Sequence, residues 1–188
     1  MYGSHDSLTG YKPRKWWMYI LQPFSKTQNL TIEDQIANGV RCFDIRVRYN
    51  KKRELVGCHG FSEYRVNVND IIKQLEFEGC YYRVILENVL GGRKTKETDL
   101  AALKAQFISP QHPHCIYVTE KKNWFGEKNE YCNLVWKEQN CFKDFSNYKF
   151  LPIPRLFVKK YSKDKFEHSL NFTSKNIIYY YDFVELKR

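Results

Sequence analysis

Helical and extended spacings of apolar residues alternate along the chain. Thr31 is positioned to cap a short helix over 32–38, with Asp34 in its first turn and Gly39 as its stop. "GVRCFDIRVRY" follows, where Val40, Cys42, Phe43, Ile45 and Val47 mark a strand that is apolar on both faces. "ELVGCHG" predicts a second, shorter strand that ends at His59 and Gly60. "VNDIIKQLEFEG" puts Val68, Ile71, Ile72 and Leu75 on one helical face, and Gly79 ends it. "YYRVILENV" reads as a strand and 98–107 as a helix closed before Pro110. "CIYVTE", "PRLFVKKYS" and "NIIYYYDFVEL" read as further strands. Residues 121–148 have no clean period and predict irregular structure with room for one helix. Strands alternating with helices predict an α/β fold, a layer or barrel around a mostly parallel sheet. The chain has 188 residues, 43% of them hydrophobic, with no internal repeat and no low-complexity linker. That is enough for one core, and a single domain over 1–188 is expected.

Composition narrows the partners. There are 31 basic against 21 acidic residues, a formal charge of +10, which favours an anionic partner such as nucleic acid or an acidic membrane surface. No nucleic-acid-binding module is recognisable, so no nucleic acid is expected. Six cysteines (Cys42, Cys58, Cys80, Cys115, Cys132 and Cys141) form no CxxC pair, which argues against a zinc ribbon or a thioredoxin-like motif. Cys42 and Cys58 lie in strand-like runs and read as free buried thiols. No apolar run nears the roughly 20 residues of a membrane span, and no signal peptide precedes the first motif. The expectation is a soluble, monomeric protein of a reducing compartment, cytoplasmic or peripheral to a membrane. The sequons at Asn29 and Asn171 are read as chance.

Candidate chemistry gathers at predicted strand ends, where α/β folds place it. "GSHDS" carries His5 and Asp6. Asp44 and Arg46 lie two apart and point to one face of their strand. His59 ends the next strand, Glu87 the one after, and Asp182 lies near the end of the last. Two histidines, carboxylates and an arginine are the parts that cleave a phosphodiester without a metal. A neutral imidazole takes the proton of an attacking hydroxyl, and a protonated one gives a proton to the leaving oxygen. Carboxylates orient each ring, and a guanidinium fork meets the charge that develops on phosphorus. Each residue alone also has a structural reading: a loop turn for His5-Asp6, an ion pair for Asp44 and Arg46, a strand cap for His59. Their joint occurrence, in order, is what points to chemistry.

"GSHDS", "QIANGVRCFDIRVR" and "CHG" together resemble the X-region of the phosphatidylinositol-specific phospholipase C family in its bacterial form. The match is continuous over 3–88 and weak beyond 90, where "RLFVKKYS" and "YYYDFV" are similar to later family strands. The resemblance implies a small, incomplete (β/α) TIM-like barrel. It implies His5 as general base, His59 as general acid, Asp182 orienting His5, Asp6 supporting His59, and Arg46 holding the phosphate beside Asp44. Lys160 falls where the family places an arginine that touches the inositol ring. The implied reaction converts an inositol phospholipid to diacylglycerol and a cyclic inositol phosphate at a membrane surface.

The chain is shorter than the family pattern, with the opening strand cut down or missing and later units lost. "VILEN" is closer to the calcium-using members, and Glu87, Asp6 and Asp44 offer oxygen ligands for calcium. Arg46, however, stands where those enzymes have another acidic ligand, so no metal is expected and Glu87 is assigned to Arg46 or to a substrate hydroxyl. "RKWWMYI", residues 14–20, suits a lipid interface or the core equally. "HPHC", residues 112–115, reads as a loop, and Lys121 reads as part of a solvated face. The competing readings are a phosphodiesterase for another lipid headgroup and a non-catalytic binder of anionic lipid.

Overall fold

The segment that follows the first helical pattern becomes the central strand. Thr31 caps that helix by accepting from the Asp34 N–H at 3.3 Å, and Gly39 takes a left-handed φ of +84° that turns the chain into the strand. The structure, a computed structural model, describes residues 1–87, 97–121, 127–130, 132 and 179–181. In chain order these form β1 (Tyr2–Ser4), a 3-10 turn (Ser7–Gly10), α1 (Met18–Ser25), α2 (Ile32–Ala37), β2 (Cys42–Tyr49), β3 (Leu55–His59) and β4 (Ser62–Asn67). They continue with α3 (Val68–Phe77), β5 (Tyr81–Leu86), α4 (Glu97–Phe107), β6 (Cys115–Glu120), β7 (Glu127–Lys128) and β8 (Tyr179–Tyr181).

Strands β8, β1, β2, β5 and β6 lie side by side and parallel, with β7 antiparallel on β6. The hairpin β3–β4 adds antiparallel to the second half of β2, on the edge that β1 occupies along its first residues. Alternation then sorts the side chains. Phe43, Ile45, Val47, Tyr82, Val84 and Leu86 share one buried cluster with Ile71, Ile72 and Leu75 of α3 and with Leu103 and Phe107 of α4. Each such side chain contributes roughly 1.5–3 kcal/mol of hydrophobic stabilisation. The intervening positions of the same strands carry Asp44, Arg46 and Arg83, all buried. The sheet is thus apolar towards the helices and ionic on its other face.

The structure departs from the sequence expectation at several points. "ELVGCHG" does form β3, but the chain turns straight back into β4. Neither β4 nor α1 is predicted by periodicity. The opening strand is present as the three residues of β1, held between β2 and β8. Among the described residues the sheet is open, and no pairing joins β6 or β7 to β8, so the barrel of the expectation is reached only as an open mixed α/β sheet. "PRLFVKKYS" lies outside the described residues, as does most of "NIIYYYDFVEL". Cys42, Cys58, Cys80, Cys115 and Cys132 are buried free thiols, and Cys141 lies outside the described residues. No helix of the described residues is long and apolar enough to cross a membrane.

Candidate active site

The loop after β1 is fastened by buried polar side chains. The Ser7 hydroxyl donates to the Ser4 carbonyl at 3.1 Å and accepts from the Asp44 N–H at 2.8 Å, which ties the loop to β2. Gln28 Nε2 and the Thr27 hydroxyl donate to the His5 carbonyl at 2.9 and 3.2 Å. Gln35 of α2 donates to the Ser7 carbonyl at 2.9 Å and to the Leu30 carbonyl at 2.8 Å. Asp6, in a left-handed conformation with φ of 45°, donates its N–H to Asp44 Oδ2 at 3.2 Å. Such backbone is sparsely populated outside glycine and persists where surrounding bonds determine it.

Parallel register assembles the ionic face. Asp44 pairs with Arg83 and Arg46 with Ile85 across β2 and β5, so neighbouring side chains meet. Arg83 Nε donates to Asp44 Oδ1 at 3.0 Å, and its Nη1 donates to the Tyr117 hydroxyl at 2.7 Å. Arg46 donates to Asp44 Oδ2 from Nη2 at 3.1 Å and from Nε at 3.2 Å, and its Nε also contacts Asp6 Oδ1. The ladder continues past the strand ends: the Glu87 N–H donates to the Val47 carbonyl and the Lys121 N–H to the Leu86 carbonyl. This places Lys121 Nζ 2.5 Å from Glu87 Oε1. An open cleft runs between Arg46, Arg83, Tyr117, Thr119 and Lys121.

His59 sits on the β3–β4 turn, where it faces Ser62, and Gly60 takes a φ of +55° that favours glycine. Arg48, buried one position pair further along β2, donates to the Gly60 carbonyl and to the Ser62 carbonyl, both at 2.9 Å. The Gly60 N–H donates to Glu87 Oε1 at 2.9 Å. The turn is therefore gripped from both sides.

The two imidazoles converge on one carboxylate. His5 Nδ1 is 3.5 Å and His59 Nδ1 3.2 Å from Asp6 Oδ2, and Glu87 Oε2 lies 3.5 Å from His59 Nδ1. The contacts to His59 are charge contacts, too oblique for regular hydrogen bonds. His5 Nε2 is 2.7 Å from Arg46 Nη2, and a guanidinium has only donors, so that nitrogen is placed to accept. Burial disfavours charge on His59, but Asp6 and Glu87 outweigh it and raise its pKa to about 9. Burial also opposes ionisation of the carboxylates, and here too the partners prevail. Arg46, His5 and His59 hold Asp6 below the usual range, Arg83 and Arg46 do so for Asp44, and His59, Arg46 and Lys121 do so for Glu87.

His5, Asp6, Asp44, Arg46, His59 and Glu87 thus lie in one network, while Asp182 and Lys160 lie outside the described residues. Glu87 touches Arg46, at 3.5 Å, and also His59, the turn and Lys121. Lys121, expected on a solvated face, is exposed and also reaches Glu87, towards which the β5–β6 ladder carries it. Arg83 and Arg48 are further members that the sequence reading did not single out. A charged residue alternating with apolar ones inside a strand was the available signal, as it was for Asp44. His112 and His114 belong to a separate cluster, with His114 Nδ1 2.5 Å from Glu76 Oε2 and Tyr82 donating to Glu76 Oε1 at 2.7 Å. Two sets of side chains bring ligand atoms within 4.8 Å of one another, His5/Asp6/Asp44 and Asp6/His59/Glu87. Arg46 lies against carboxylates of both.

Solved structures of similar fold are bacterial phosphatidylinositol-specific phospholipases C. The enzyme from Listeria monocytogenes matches with a TM-score of 0.60 at 15% identity, over 99% of this chain and 89% of that one. A mutant of the Staphylococcus aureus enzyme matches with a TM-score of 0.52 at 16% identity, over 96% of this chain and 71% of that one. A second Staphylococcus aureus structure, concerned with modulation of membrane binding, gives 0.53 at 16% identity, over 96% and 70%. At such identities the likeness establishes the fold. No protein-family model matches the chain, and no curated protein matches it.

Proposed function

We propose that this protein is a phosphodiesterase that cleaves an inositol phospholipid at a membrane surface, with His5 as general base and His59 as general acid. The observation that carries this reading is the convergence of the His5 and His59 rings on Asp6, with Arg46 against His5 Nε2 and against the Asp6 carboxylate. An incoming phosphodiester draws the Arg46 guanidinium onto its non-bridging oxygens and frees the lone pair of His5 Nε2. That nitrogen takes the proton of the inositol 2-hydroxyl. The hydroxyl oxygen forms a bond to phosphorus, the bond to the diacylglycerol oxygen breaks, and His59 supplies that oxygen's proton. The products are diacylglycerol and a cyclic inositol phosphate. Asp44, held by Arg83, keeps Arg46 in place. By resemblance, Asp182 orients His5 and Lys160 touches the ring. The same reading completes the open sheet into a small, incomplete barrel within a single domain.

Electrostatics support a metal-free site. Among the groups in contact, the carboxylates of Asp6, Asp44 and Glu87 face Arg46, Arg83, Lys121 and protonated His59, an excess of one positive charge that suits a singly charged diester. A divalent cation at either ligand set would stand against the Arg46 guanidinium.

A lipid surface is supported by α1. Ile20 (68% exposed) and Phe24 (55%) lie four apart on the outer side of α1, opposite the buried Met18, and Trp16, 78% exposed, lies in the turn just before the helix. Lys12, Arg14 and Lys15 beside it are exposed. Aromatic and aliphatic side chains flanked by cations fit an anionic lipid interface. The helix is seated on the turn-bearing hairpin through Met18 Sδ, 3.3 Å from the Glu63 N–H, and through a 3.2 Å contact between the Ser25 and Ser62 hydroxyls.

Phosphatidylinositol vesicles with chelator present test the proposal. Cyclic inositol phosphate is expected from the wild type, with loss in His5→Ala and His59→Ala. Vesicle binding should weaken with salt and in Trp16→Ala/Ile20→Ala. A wild type that turns over none of a panel of lipid phosphodiesters sinks the enzyme, turnover of another headgroup alone corrects the substrate, and a calcium requirement overturns only the metal-free assignment.

A further inference from the structure

Glu87 links the acid half of the site to Lys121, which lines the cleft. Its carboxylate is buried between the end of β5 and the β3–β4 turn. Oε1 accepts from the Gly60 N–H at 2.9 Å and from Lys121 at 2.5 Å, which leaves Oε2 turned towards His59 and Arg46, each at 3.5 Å. Lys121 is half-exposed at the cleft, and its main chain is fixed by the ladder bond from its N–H to the Leu86 carbonyl at 3.0 Å.

We propose that Lys121 is a positioning residue for the general acid, acting on His59 through Glu87. The Gly60 N–H keeps Glu87 turned so that Oε2 faces the imidazole, and Lys121 takes a share of the carboxylate's charge that would otherwise fall on the ring. The kinetic consequence rests on the phosphodiesterase reading; the effect on the ring does not.

The groups facing His59 fix the sign of the effect. Asp6 approaches from the loop after β1 and Glu87 from the end of β5. Arg46 of β2 reaches both carboxylates, and Lys121 stands behind Glu87. At the hairpin, Arg48 of β2 holds the Gly60 carbonyl, and Cys58 of β3 stays neutral because burial pushes its thiol up. Removing the Lys121 charge lifts a repulsion on protonated His59 and releases more of Glu87 to it. Both effects favour the protonated ring. A lysine that merely braced the structure would act the other way, because a loosened carboxylate supports the ring less.

An NMR pH titration of the His59 ring in the full chain, without substrate, decides the matter. Lys121→Met is expected to move the His59 midpoint upward by about half a pH unit. Lys121→Arg should restore the wild-type midpoint, and Glu87→Gln should move it down. With phosphatidylinositol vesicles, Lys121→Met should lower kcat about three- to tenfold with KM unchanged. A midpoint in Lys121→Met that stays or falls overturns the proposal, as does a rise in KM at constant kcat, which would put Lys121 on the substrate. A wild type without phosphodiesterase activity removes the kinetic consequence while the titration still supports or overturns the link to His59.

Discussion

His5 leaves β1 on a loop whose carbonyls are caught by neutral side chains: Gln28 and Thr27 on His5 itself, Gln35 on Ser7. His59 leaves β3 on a turn caught by ions: Arg48 on the Gly60 and Ser62 carbonyls, Glu87 on the Gly60 N–H. Neutral bonds buried under a loop fix its path, and the charges near His5, from Asp6, Asp44 and Arg46, meet the ring itself. A ring that rests against two carboxylates and between charged clamps has its proton affinity raised by its own scaffold. In the proposed reaction the base needs an open lone pair at neutral pH and the acid needs a proton there, so the two kinds of support match the two tasks. In the second half, charged side chains also hold the backbone that carries the ring.

The largest effects should come from the histidines, and the leaving group separates them. With a natural alkoxide leaving group, His5→Ala and His59→Ala should each lower kcat by about 10²–10⁴. With an aryl leaving group, which departs without a proton, His59→Ala should recover most of that loss and His5→Ala none. Equal recovery in both would break the assignment of base and acid.

The scaffolds come next. Gln35→Leu strips donors from two carbonyls beneath the base loop and should cost about 2–4 kcal/mol of stability, since a buried unsatisfied acceptor costs about 1–3 kcal/mol. Arg48→Met removes two charge-assisted bonds from the His59 turn and should cost a similar amount. Activity sharpens the contrast. The Arg48→Met defect in kcat should shrink with the aryl substrate, as for His59→Ala, while any Gln35→Leu defect should be the same for both substrates. A Gln35→Leu defect that the aryl substrate relieves would show that the halves are not supported independently.

The same division marks what the sequence reveals. Helices α2 and α3 and strands β2, β5 and β6 are legible because their apolar residues face inward and their ends carry a Thr31 cap or a Gly79 stop. Helix α1 is not, because Trp16, Ile20 and Phe24 face outward and Pro23 interrupts the run. β4 is not, because Tyr64 is its sole buried hydrophobic residue. Among the site residues, His5, Asp6, Asp44, Arg46, His59 and Glu87 stand out through motif and strand-end position. Arg83 and Lys121 acquire their partners only through register, which sets Arg83 beside Asp44 and Lys121 beside Glu87, and spacing along the chain does not encode that.

The smallest predicted effect is on stability against pH, and it concerns the acid half. The pKa of His59 is raised from an ordinary 6.5 to about 9, so its contribution is complete below 6.5 and is lost as pH climbs through 9. The carboxylates run the other way: with depressed values, their contribution is complete above the ordinary carboxylate range and is lost as pH falls through their folded values. Between pH 6.5 and 9.5 the wild type should therefore lose about 1 kcal/mol, or a few degrees in Tm, after allowance for the partial exposure of the ring. His59→Gln cannot gain or lose that proton and should give a flatter curve over this interval. His5→Gln should keep the wild-type slope, because Asp6 and Glu87 still face His59. If the slope vanishes in His5→Gln instead, the base is the ring whose proton is tied to folding, and the contrast between a neutrally held base and an ionically held acid is reversed.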